Sequence, residues 1–536
     1  MSPQTPVDSV NPAVMSNYYE APSADPVGDE IWCYSDRPCY SPGETISFHV
    51  STTAKSYTLE IARDAPEAEL LFTRDKLPGC RQETPADASV SGCGWPASFE
   101  FAIPAHWHSG AYRVTSRIER RNGGRLEQHH MFMLRAGTAR RRERLLLVSA
   151  TGTWCAYNNW GGSNHYEGIT GPQGRDFSPI LSLERPWPRG FVVLPDDAPR
   201  AALAASPACD EPVSYPHMEW AYANGYSKKY ASAGWASYER HFMNWAADAG
   251  FEVDIVSQYD LQLRPEVLED YPCLVFIGHD EYWSWEMRDT VDTYVEEGGR
   301  VARFAGNFMW QTRLEDNGRR QVCYKSRALA EDPQRETNRI TTSWEMPQIE
   351  RPGALTFGLN AIRGVYAGWG GCVAFGAGGF PIYRPEHWAF EGTGLGYGDV
   401  LGGQSRIFAY EVDGLDYIVR DGLPYPSGAE QVPDGLDILA LGLASNVEVA
   451  RAVDNSELFL GTDDCELHAE ILYGEVTPET IALAGRGSGM IASFQRGRGE
   501  VFHAGSVEWV AGLLRRDHQV ERVTRNVLSR FLKGEN

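Results

Sequence analysis

The fold of this chain is decided by the stretch Cys273-Leu274-Val275-Phe276-Ile277-Gly278-His279-Asp280-Glu281. Its first five residues form a continuous apolar run, which is typical of a strand buried on both faces of a parallel sheet. Directly after that strand the chain places three ionisable side chains, which are costly to bury unless they are paired or bound to a metal. In open α/β sheets, ligands bind beyond the carboxyl ends of the strands. The stretch therefore predicts a catalytic site at the end of this strand.

Strands and helices alternate on both sides of this stretch. Further apolar runs predict strands at 144–150, 251–255, 300–304 and 499–504, and helical periodicity predicts helices at 238–249, 284–297 and 520–532. We expect Ser284 to be the N-cap of the middle helix and Gly298-Gly299 to end it. This alternation predicts an α/β fold with a doubly wound, mostly parallel sheet.

The rest of the chain divides by composition and pattern. Short alternating segments broken by turns predict an antiparallel β-sandwich before the α/β part. The predicted organisation is an irregular N-terminal arm at 1–25, a β-sandwich domain at 26–140, and an α/β catalytic domain at 141–536 with a long surface excursion at 188–236 and a Gly-rich, partly β region at 345–480.

Charge and composition exclude several classes of protein. The 536 residues carry a net charge of −23, from 49 basic and 72 acidic side chains, and such a surface disfavours binding to nucleic acid or to a membrane. No stretch approaches the roughly 18 apolar residues that a membrane helix needs, and the N-terminus lacks the pattern of a signal peptide. Ten cysteines without a CxxC pair are typical of reduced thiols. We therefore expect a cytoplasmic protein.

Two further segments should lie near the charged trio. The first strand leads into a loop that carries Tyr157 and Tyr166, and the strand at 300–304 leads to Asn307. Each candidate also has a structural interpretation. Asp280 and Glu281 suit the positive end of the following helix, His279 suits a hydrogen-bonded core, the tyrosines suit packing, and Asn307 suits a turn. Motifs for a serine nucleophile, a zinc hydrolase or a phosphate-binding loop are missing from the sequence.

Residues 154–162, 278–284 with Arg288-Asp289, and 504–509 through 525–528 together resemble the large, catalytic subunit of N,N-dimethylformamidase and its family. The resemblance covers roughly residues 140–536. It implies a core like that of the class I glutamine amidotransferases. It also implies a mononuclear Fe(III) ion held by two tyrosinates and one glutamate, with a histidine and an asparagine nearby.

Carried onto this chain, the resemblance assigns a role to individual residues. The metal ligands fall on Tyr157, Tyr166 and Glu281, and the catalytic residues on His279, Glu281, Asn307 and Glu411. Phenolate and carboxylate are hard anionic ligands that suit Fe(III) and leave positions open for water and substrate. The chain departs from the family's pattern near Tyr166, and we expect it to be shorter at its N-terminus than the large subunit. The metal and the hydrolysis are therefore expected to carry over more readily than the substrate.

These observations predict an iron-dependent hydrolase that cleaves the C–N bond of a small amide, such as an N-substituted formamide, by metal-activated water. A homo-oligomer or a small partner subunit is compatible with the resemblance. Two alternatives stay open. One is a ligand- or carbohydrate-binding protein whose α/β domain is a degenerate enzyme, and the other is a metal-free hydrolase in which Glu281 and His279 act as an acid–base pair.

Overall fold

The computed structural model describes residues 20–25, 27–137, 141–168, 177–200, 216–364, 366–368, 378–445 and 462–534. Most of the predicted arm at 1–25 lies outside these residues, as do parts of the predicted excursion at 188–236 and of the Gly-rich region at 345–480. Among the described helices, none is both long enough and apolar enough to cross a membrane.

The N-terminal part of the chain folds into two β-sheets. Its strands are β1 (Ile31–Ser35), β2 (Cys39–Tyr40), β3 (Thr45–Thr52), β4 (Ser56–Arg63), β5 (Glu69–Pro78), β6 (Phe99–Ala102), β7 (Gly110–Glu119) and β8 (Arg125–Leu134). One sheet has the order β1-β3-β6 and the other the order β2-β8-β7-β4-β5. Neighbouring strands are antiparallel, except that β2 runs parallel to β8.

The two sheets share one hydrophobic core. Buried and partly exposed residues alternate along β3 and β4, as the period-two sequence pattern predicts. Phe48, Leu59 and Phe132 are fully buried and belong to the same cluster of side chains. The apolar faces of these strands therefore bury one another.

The remaining described strands, and the described helices other than Ala88–Ser91, which lies between β5 and β6, build the second part of the molecule. The strands are β9 (Leu145–Ser149), β10 (Ile180–Ser182), β11 (Val253–Ser257), β12 (Cys273–His279), β13 (Tyr282–Ser284), β14 (Arg300–Gly306), β15 (Trp310–Glu315), β16 (Arg320–Val322), β17 (Tyr366–Gly368), β18 (Phe380–Pro381), β19 (Val400–Leu401), β20 (Tyr410–Glu411), β21 (Tyr417–Arg420), β22 (Leu423–Pro426), β23 (Asp437–Ser445), β24 (Arg486–Arg496) and β25 (Gly499–His503). The α-helices of the described residues are α1 (Ala88–Ser91), α2 (Thr151–Tyr157), α3 (Pro216–Asn224), α4 (Glu239–Ala249), α5 (Asp260–Leu263), α6 (Trp285–Glu296), α7 (Ala328–Glu331), α8 (Ala354–Phe357), α9 (Thr462–Tyr473), α10 (Pro478–Ala484), α11 (Trp509–Leu514) and α12 (His518–Lys533).

A seven-stranded sheet forms the centre of this part. Its order is β11-β9-β12-β14-β25-β24-β23. The first five strands are mutually parallel, and β24 and β23 continue the sheet in antiparallel fashion. Each strand predicted at 144–150, 251–255, 273–277, 300–304 and 499–504 overlaps one of these five parallel strands, with ends that differ by up to two residues.

Both faces of β12 are buried, which explains its unbroken apolar sequence. Leu274 and Phe276 pack on the side that carries α6, whereas Val275 and Ile277 pack on the side that carries α4, α11 and α12. All seven residues of β12 are buried. Alternate side chains thus anchor helices on opposite faces of the sheet.

Helix α6 begins and ends close to where its sequence predicts. The Ser284 hydroxyl accepts a hydrogen bond from the Met287 N–H at 3.2 Å, which satisfies a free donor in the first turn. Beyond the helix, Gly298 has a φ of 112°, a conformation that favours glycine. The predicted N-cap is therefore confirmed.

The segment after β9 was predicted to be a loop, but its first part is helical in the structure. Residues Thr151–Tyr157 form helix α2, whose residues are all buried. Tyr157 is therefore the last residue of a helix, and only Tyr166 belongs to the irregular chain that follows. Between 345 and 480 the described chain forms the short strands β17 to β22 before the longer β23.

Candidate active site

The site lies at the carboxyl ends of two adjacent parallel strands. In the register of β12 and β14, His279 stands opposite Gly306. The chain beyond these two strands carries Glu281 and Asn307, so the backbone brings both residues to the same edge of the sheet. This is where an α/β sheet binds its ligands.

The structure brings all six predicted site residues together at this edge. The His279 ring contacts three of the other five residues through Nε2. This atom lies 2.7 Å from a carboxylate oxygen of Glu411, 3.2 Å from one of Glu281 and 3.1 Å from Asn307 Nδ2. The Asn307 amide also donates a hydrogen bond to Glu411 at 2.7 Å. Glu411 enters from β20, more than a hundred residues after Asn307.

The two tyrosines lie side by side next to this group. The centroids of the Tyr157 and Tyr166 rings are 4.4 Å apart, and the Tyr157 ring is 5.1 Å from the His279 ring. Tyr166 Oη lies 2.7 and 2.6 Å from the two carboxylate oxygens of Glu281. The Tyr282 hydroxyl donates to Tyr166 Oη at 2.8 Å.

Glu281 is oriented by residues that the sequence did not single out. Trp310 Nε1 donates a hydrogen bond to the Glu281 carboxylate at 2.5 Å. The backbone N–H of Glu281 donates to the Thr153 hydroxyl at 2.9 Å. Trp310 begins β15, and Thr153 lies in α2, which ends at Tyr157. Trp310 therefore fixes the carboxylate, and Thr153 fixes the backbone that carries it.

Asn307 occupies a turn that is held by a buried carboxylate. Its φ of 64° lies in the left-handed region, which asparagine tolerates better than most residues. Asp413 accepts hydrogen bonds from the N–H groups of Asn307 and Phe308 at 2.8 and 3.2 Å. Asp413 is fully buried and lies two residues after Glu411, so the same segment supplies Glu411 and fixes Asn307.

The side chains of His279, Glu281 and Glu411 shift one another's pKa. Burial acts to lower the pKa of His279, but the carboxylates of Glu411 and Glu281 outweigh it and raise the pKa to about 10. Burial acts to raise the pKa of Glu281, but the hydrogen bond and charge of His279 hold it below its ordinary value. The pKa of Glu411 is raised, mainly by burial. The ring of His279 also donates from Nδ1 to the Ser232 carbonyl at 2.7 Å.

Both tyrosine hydroxyls are hard to ionise in this environment. Burial, followed by the negative charge of Glu281, raises the pKa of Tyr157 and of Tyr166 well above the ordinary value for a phenol. A cation beside them would have the opposite effect, because an opposite charge favours the ionised form. Among the described residues, no three His, Cys, Asp or Glu side chains are arranged to hold a metal ion.

Asp280 differs from its interpretation as a helix-start residue. Its carboxylate forms an ion pair with Arg303 and accepts hydrogen bonds at 3.0 Å from Gln258 and from Trp283 Nε1. Asp280 and Arg303 are both fully buried, and Arg303 lies on β14, which pairs with β12. Asp280 therefore joins strands beneath the site, and it does not cap α6.

Two lysines that lie near Tyr157 and Tyr166 were also not predicted from the sequence. Lys325 Nζ lies 3.7 Å from the centroid of the Tyr166 ring and 4.6 Å from that of Trp310. Lys229 Nζ lies 5.0 Å from the Tyr166 centroid and 5.7 Å from that of Tyr157. Burial lowers the pKa of Lys229 to about 8. No local sequence signal marks either lysine, because each reaches the site only through the tertiary fold.

Comparison with known proteins gives a family match over most of the chain. The family model described as N,N-dimethylformamidase beta subunit-like, C-terminal, matches residues 61–521. The N,N-dimethylformamidase beta subunit of Alcaligenes sp is 23% identical over 483 residues, which cover 83% of this chain and 55% of that protein. The N,N-dimethylformamidase beta subunit of Paracoccus aminophilus is 25% identical over 328 residues, which cover 55% of this chain and 36% of that protein.

The chain spans about half the length, or less, of these curated relatives. Among solved structures, the sporulation control protein Spo0M from Bacillus subtilis matches 20% of this chain and 50% of its own at 12% identity, with a TM-score of 0.15. A likeness this slight supports no statement about the fold.

Proposed function

Because this chain belongs to the N,N-dimethylformamidase beta subunit-like family, we propose that it hydrolyses the C–N bond of a small amide, such as an N-substituted formamide. Water is consumed, and a carboxylic acid and an amine are released. One observation carries the proposal. Two carboxylates, a histidine, an asparagine and two tyrosines meet at the carboxyl edge of the parallel strands, where His279 Nε2 lies 2.7 Å from Glu411.

We further propose that Tyr157, Tyr166 and Glu281 hold a mononuclear Fe(III) ion. The donor set suits this ion, because phenolate and carboxylate are hard anionic oxygen ligands. Tyr166 Oη already lies 2.7 and 2.6 Å from the Glu281 oxygens, and the Tyr157 ring packs on the Tyr166 ring. When bound, the ion would supply Lewis acidity toward the amide carbonyl and toward water.

His279 is the residue that we propose moves protons. Its Nδ1–H is committed to the Ser232 carbonyl, so only Nε2 can exchange a proton with a substrate. Glu411 and Glu281 stabilise the protonated ring. From this position the protonated ring can donate its Nε2 proton to the leaving nitrogen and regain one from the attacking water.

Asn307 is proposed to orient the scissile amide. Its side-chain amide sits between His279 and Glu411 and donates to the latter, and the Asp413 carboxylate fixes its backbone. A donor that is fixed before the substrate binds stabilises a carbonyl oxygen that gains negative charge. Glu411 would thus position both the histidine and the asparagine.

A second candidate is a metal-free hydrolase that uses the same acid–base group. The contacts of His279 with Glu281 and Glu411 favour it, because a histidine between two carboxylates can exchange protons without a metal. The two candidates make opposite predictions about the metal content of active protein.

The test is elemental analysis and visible spectroscopy of the purified full chain, followed by a screen of small amides. Iron at about one atom per active chain, with a tyrosinate-to-iron charge-transfer band, would support the proposal. We expect Tyr157→Phe to abolish the band and the activity. Tyr282→Phe is the matched control, because it removes a buried phenol beside Tyr166 that is not a proposed ligand, and we expect it to keep the iron. Colourless, iron-free protein that still hydrolyses amides would favour the metal-free mechanism.

Two broader proposals follow from the family. The relatives are named as beta subunits, and we propose that this chain also functions with a partner subunit, or as a homo-oligomer, which light scattering of the purified protein alone and with cell extract would test. We also propose that the α/β part shares the core of the class I glutamine amidotransferases. The run of five parallel strands supports this proposal.

A further inference from the structure

Two lysine ammonium groups face the ring of Tyr166. Lys325 Nζ lies 3.7 Å and Lys229 Nζ 5.0 Å from the centroid of that ring. Lys325 is only 7% exposed, and Lys229 is half-buried. The chain therefore places two positive charges beside a proposed metal ligand, where solvent screens them poorly.

Neither ammonium group has a carboxylate partner among the described residues. The neighbouring Lys228, in contrast, forms an ion pair with Glu167 at 2.8 Å. For Lys325 the described contacts of the ammonium group are the rings of Tyr166 and Trp310, and for Lys229 they are the rings of Tyr157 and Tyr166. Burying a charge without a counter-charge is costly, and within the described part of the chain each of these ammonium groups lacks a directly paired anion.

The acidic residues of the site are already engaged elsewhere. Glu281 contacts Tyr166, Trp310 and His279, and Glu411 contacts His279 and Asn307. The charges of Glu411 and Glu281 act on Lys229 and Lys325, respectively, only at longer range. Glu167 is the acidic residue that acts most strongly on Lys229, but it forms its ion pair with Lys228. Among the described residues no carboxylate is left to pair directly with either lysine, so a ligand carboxylate can take that place.

The backbone at Lys325 supports a functional role for its side chain. Lys325 has a φ of 51°, which is uncommon for a residue other than glycine. Its N–H donates to the Thr341 carbonyl at 2.9 Å, which helps to hold this conformation. Strained backbone of this kind persists where the surrounding structure imposes it, and it clusters at ligand sites.

We propose that the substrate is an amide that also carries a carboxylate, such as an N-formyl or N-acyl amino acid, and that Lys229 and Lys325 bind that carboxylate. The inference rests on the proposed function, and it defines the substrate class of the same site. An ammonium group offers three donors to a carboxylate. A neutral dialkylformamide has no group that would pair with either lysine.

The first experiment compares two amides on the purified full chain. N-formylglycine and N-ethylformamide differ only in that a methyl group replaces the carboxylate. We expect kcat/KM to be higher for N-formylglycine. Lys229→Met should raise the KM for N-formylglycine about 10- to 100-fold, the range for loss of a charge-assisted hydrogen bond, and should affect N-ethylformamide far less.

Lys228→Met is the matched control. It removes the adjacent lysine, whose charge is already paired with Glu167, and we expect it to preserve the preference for N-formylglycine. Equal use of the two amides by the unmodified protein would overturn the inference. So would a Lys229→Met variant that loses activity on both amides to the same extent, or one that changes the charge-transfer band and leaves the preference intact.

A binding measurement separates this inference from the proposed function. N-methylsulfonylglycine carries the carboxylate but has no amide to hydrolyse, and N-ethylmethanesulfonamide is its neutral counterpart. Calorimetry should detect binding of the first compound, weakened about 10- to 100-fold by Lys229→Met or Lys325→Met. If this pattern appears and no amide is hydrolysed, the carboxylate site stands and the proposed hydrolysis fails. If neutral amides are hydrolysed and the anionic sulfonamide binds no better than the neutral one, the carboxylate site fails and the hydrolysis stands.

Discussion

His279 shows how much of this site depends on the surroundings of single residues. Its Nδ1 is occupied by the Ser232 carbonyl, and its Nε2 faces Glu411 and Glu281. A histidine elsewhere in the same chain behaves differently, because burial without a nearby carboxylate lowers the pKa of His130 to about 3. The same side chain is therefore neutral in one place and charged in another.

Glu239 allows a test of buried charge away from the proposed ligands. It is 1% exposed, and one of its oxygens accepts hydrogen bonds from the Ala150 N–H and from Trp154 Nε1. Burial raises its pKa from 4.5 to about 7. Because its pKa is higher in the folded chain than in the unfolded one, folding favours the protonated acid. Its contribution to stability is fully present below pH 4.5 and is lost as the pH rises through 7.

We expect Glu239→Gln to remove this pH dependence. Relative to the variant, the unmodified protein should lose about 2–3 kcal/mol of unfolding free energy between pH 5 and pH 8. Denaturant titrations at both pH values measure this difference. Glu266→Gln, at an exposed position, is the control. A difference between unmodified protein and Glu239→Gln that stays constant with pH would contradict the prediction.

At this scale the sequence allowed some residues to be predicted and not others. His279 and Glu281 stood out because ionisable groups directly after a buried strand are costly. Lys229 and Lys325 could not be found in this way, since their neighbours are ring faces from distant segments. Asp280 was interpreted wrongly because its partner Arg303 lies on the adjacent strand, and strand neighbours are not visible in a single sequence.

Among the elements, α2 controls the position of Tyr157. Gly152 in this helix leaves no space for a side chain, since a Cβ there would lie 2.7 Å from Gln258 Oε1 and 2.8 Å from the Tyr282 carbonyl oxygen. The helix therefore packs directly against the segment that follows Glu281. This close approach sets the distance between the proposed ligands.

We expect Gly152→Ala to displace α2 and to disturb the site while the fold persists. Overpacking of this kind costs about 1–3 kcal/mol of stability. Denaturation would report that loss, and the iron content and charge-transfer band should fall with it. Gly137→Ala is the control, because no atom lies within 4 Å of a Cβ at that position. Full iron content in Gly152→Ala would show that α2 does not set the ligand geometry.

Elements with a clear pattern were predictable and α2 was not. The parallel strands have continuous apolar runs, and the strands of the N-terminal sheets alternate with period two. Helix α2 is buried on every side, so it has no polar face and no helical periodicity. Its glycine and its two threonines also have weak helix propensity. Only the contacts around it explain why it is helical.

Over the whole molecule, the N-terminal sheets and the α/β part meet around Trp160. This residue is fully buried, and its ring contacts those of Trp32 and Trp95 with centroids 5.7 and 5.9 Å apart. Trp160 lies in the chain between Tyr157 and Tyr166. The N-terminal part thus supports the segment that carries both tyrosines. The alternative of a ligand- or carbohydrate-binding protein predicts that residues 1–140 act independently. This contact, in contrast, connects the N-terminal part to the α/β part.

We expect Trp95→Ala to weaken the site from a distance. Removing the ring should lower the free energy of unfolding by about 3–5 kcal/mol and should reduce iron content, because Trp160 loses a neighbour. Trp107→Ala is the matched control. Trp107 is also buried, but it stacks on Tyr112 inside the N-terminal core. It should cost similar stability and leave the iron in place. Equal iron loss in both variants would indicate general destabilisation.

The overall arrangement could be predicted only in part. The sequence indicated parallel strands and their position along the chain, because burial on both faces leaves a plain apolar pattern. It did not indicate that β24 and β23 extend the sheet in antiparallel fashion. The approach of Glu411 to His279 was also unpredictable from spacing, since the two residues lie 132 positions apart in the sequence.

That separation has a consequence for the order of folding. Contacts between residues far apart in sequence form slowly, because the intervening chain must be closed first. The contact of Glu411 with His279 therefore requires both β12 and the later segment around β20 to be in place. We expect local strand and helix formation to precede the assembly of this cluster. The chain would acquire its chemistry in the final stage of folding, and a partly synthesised chain would have none.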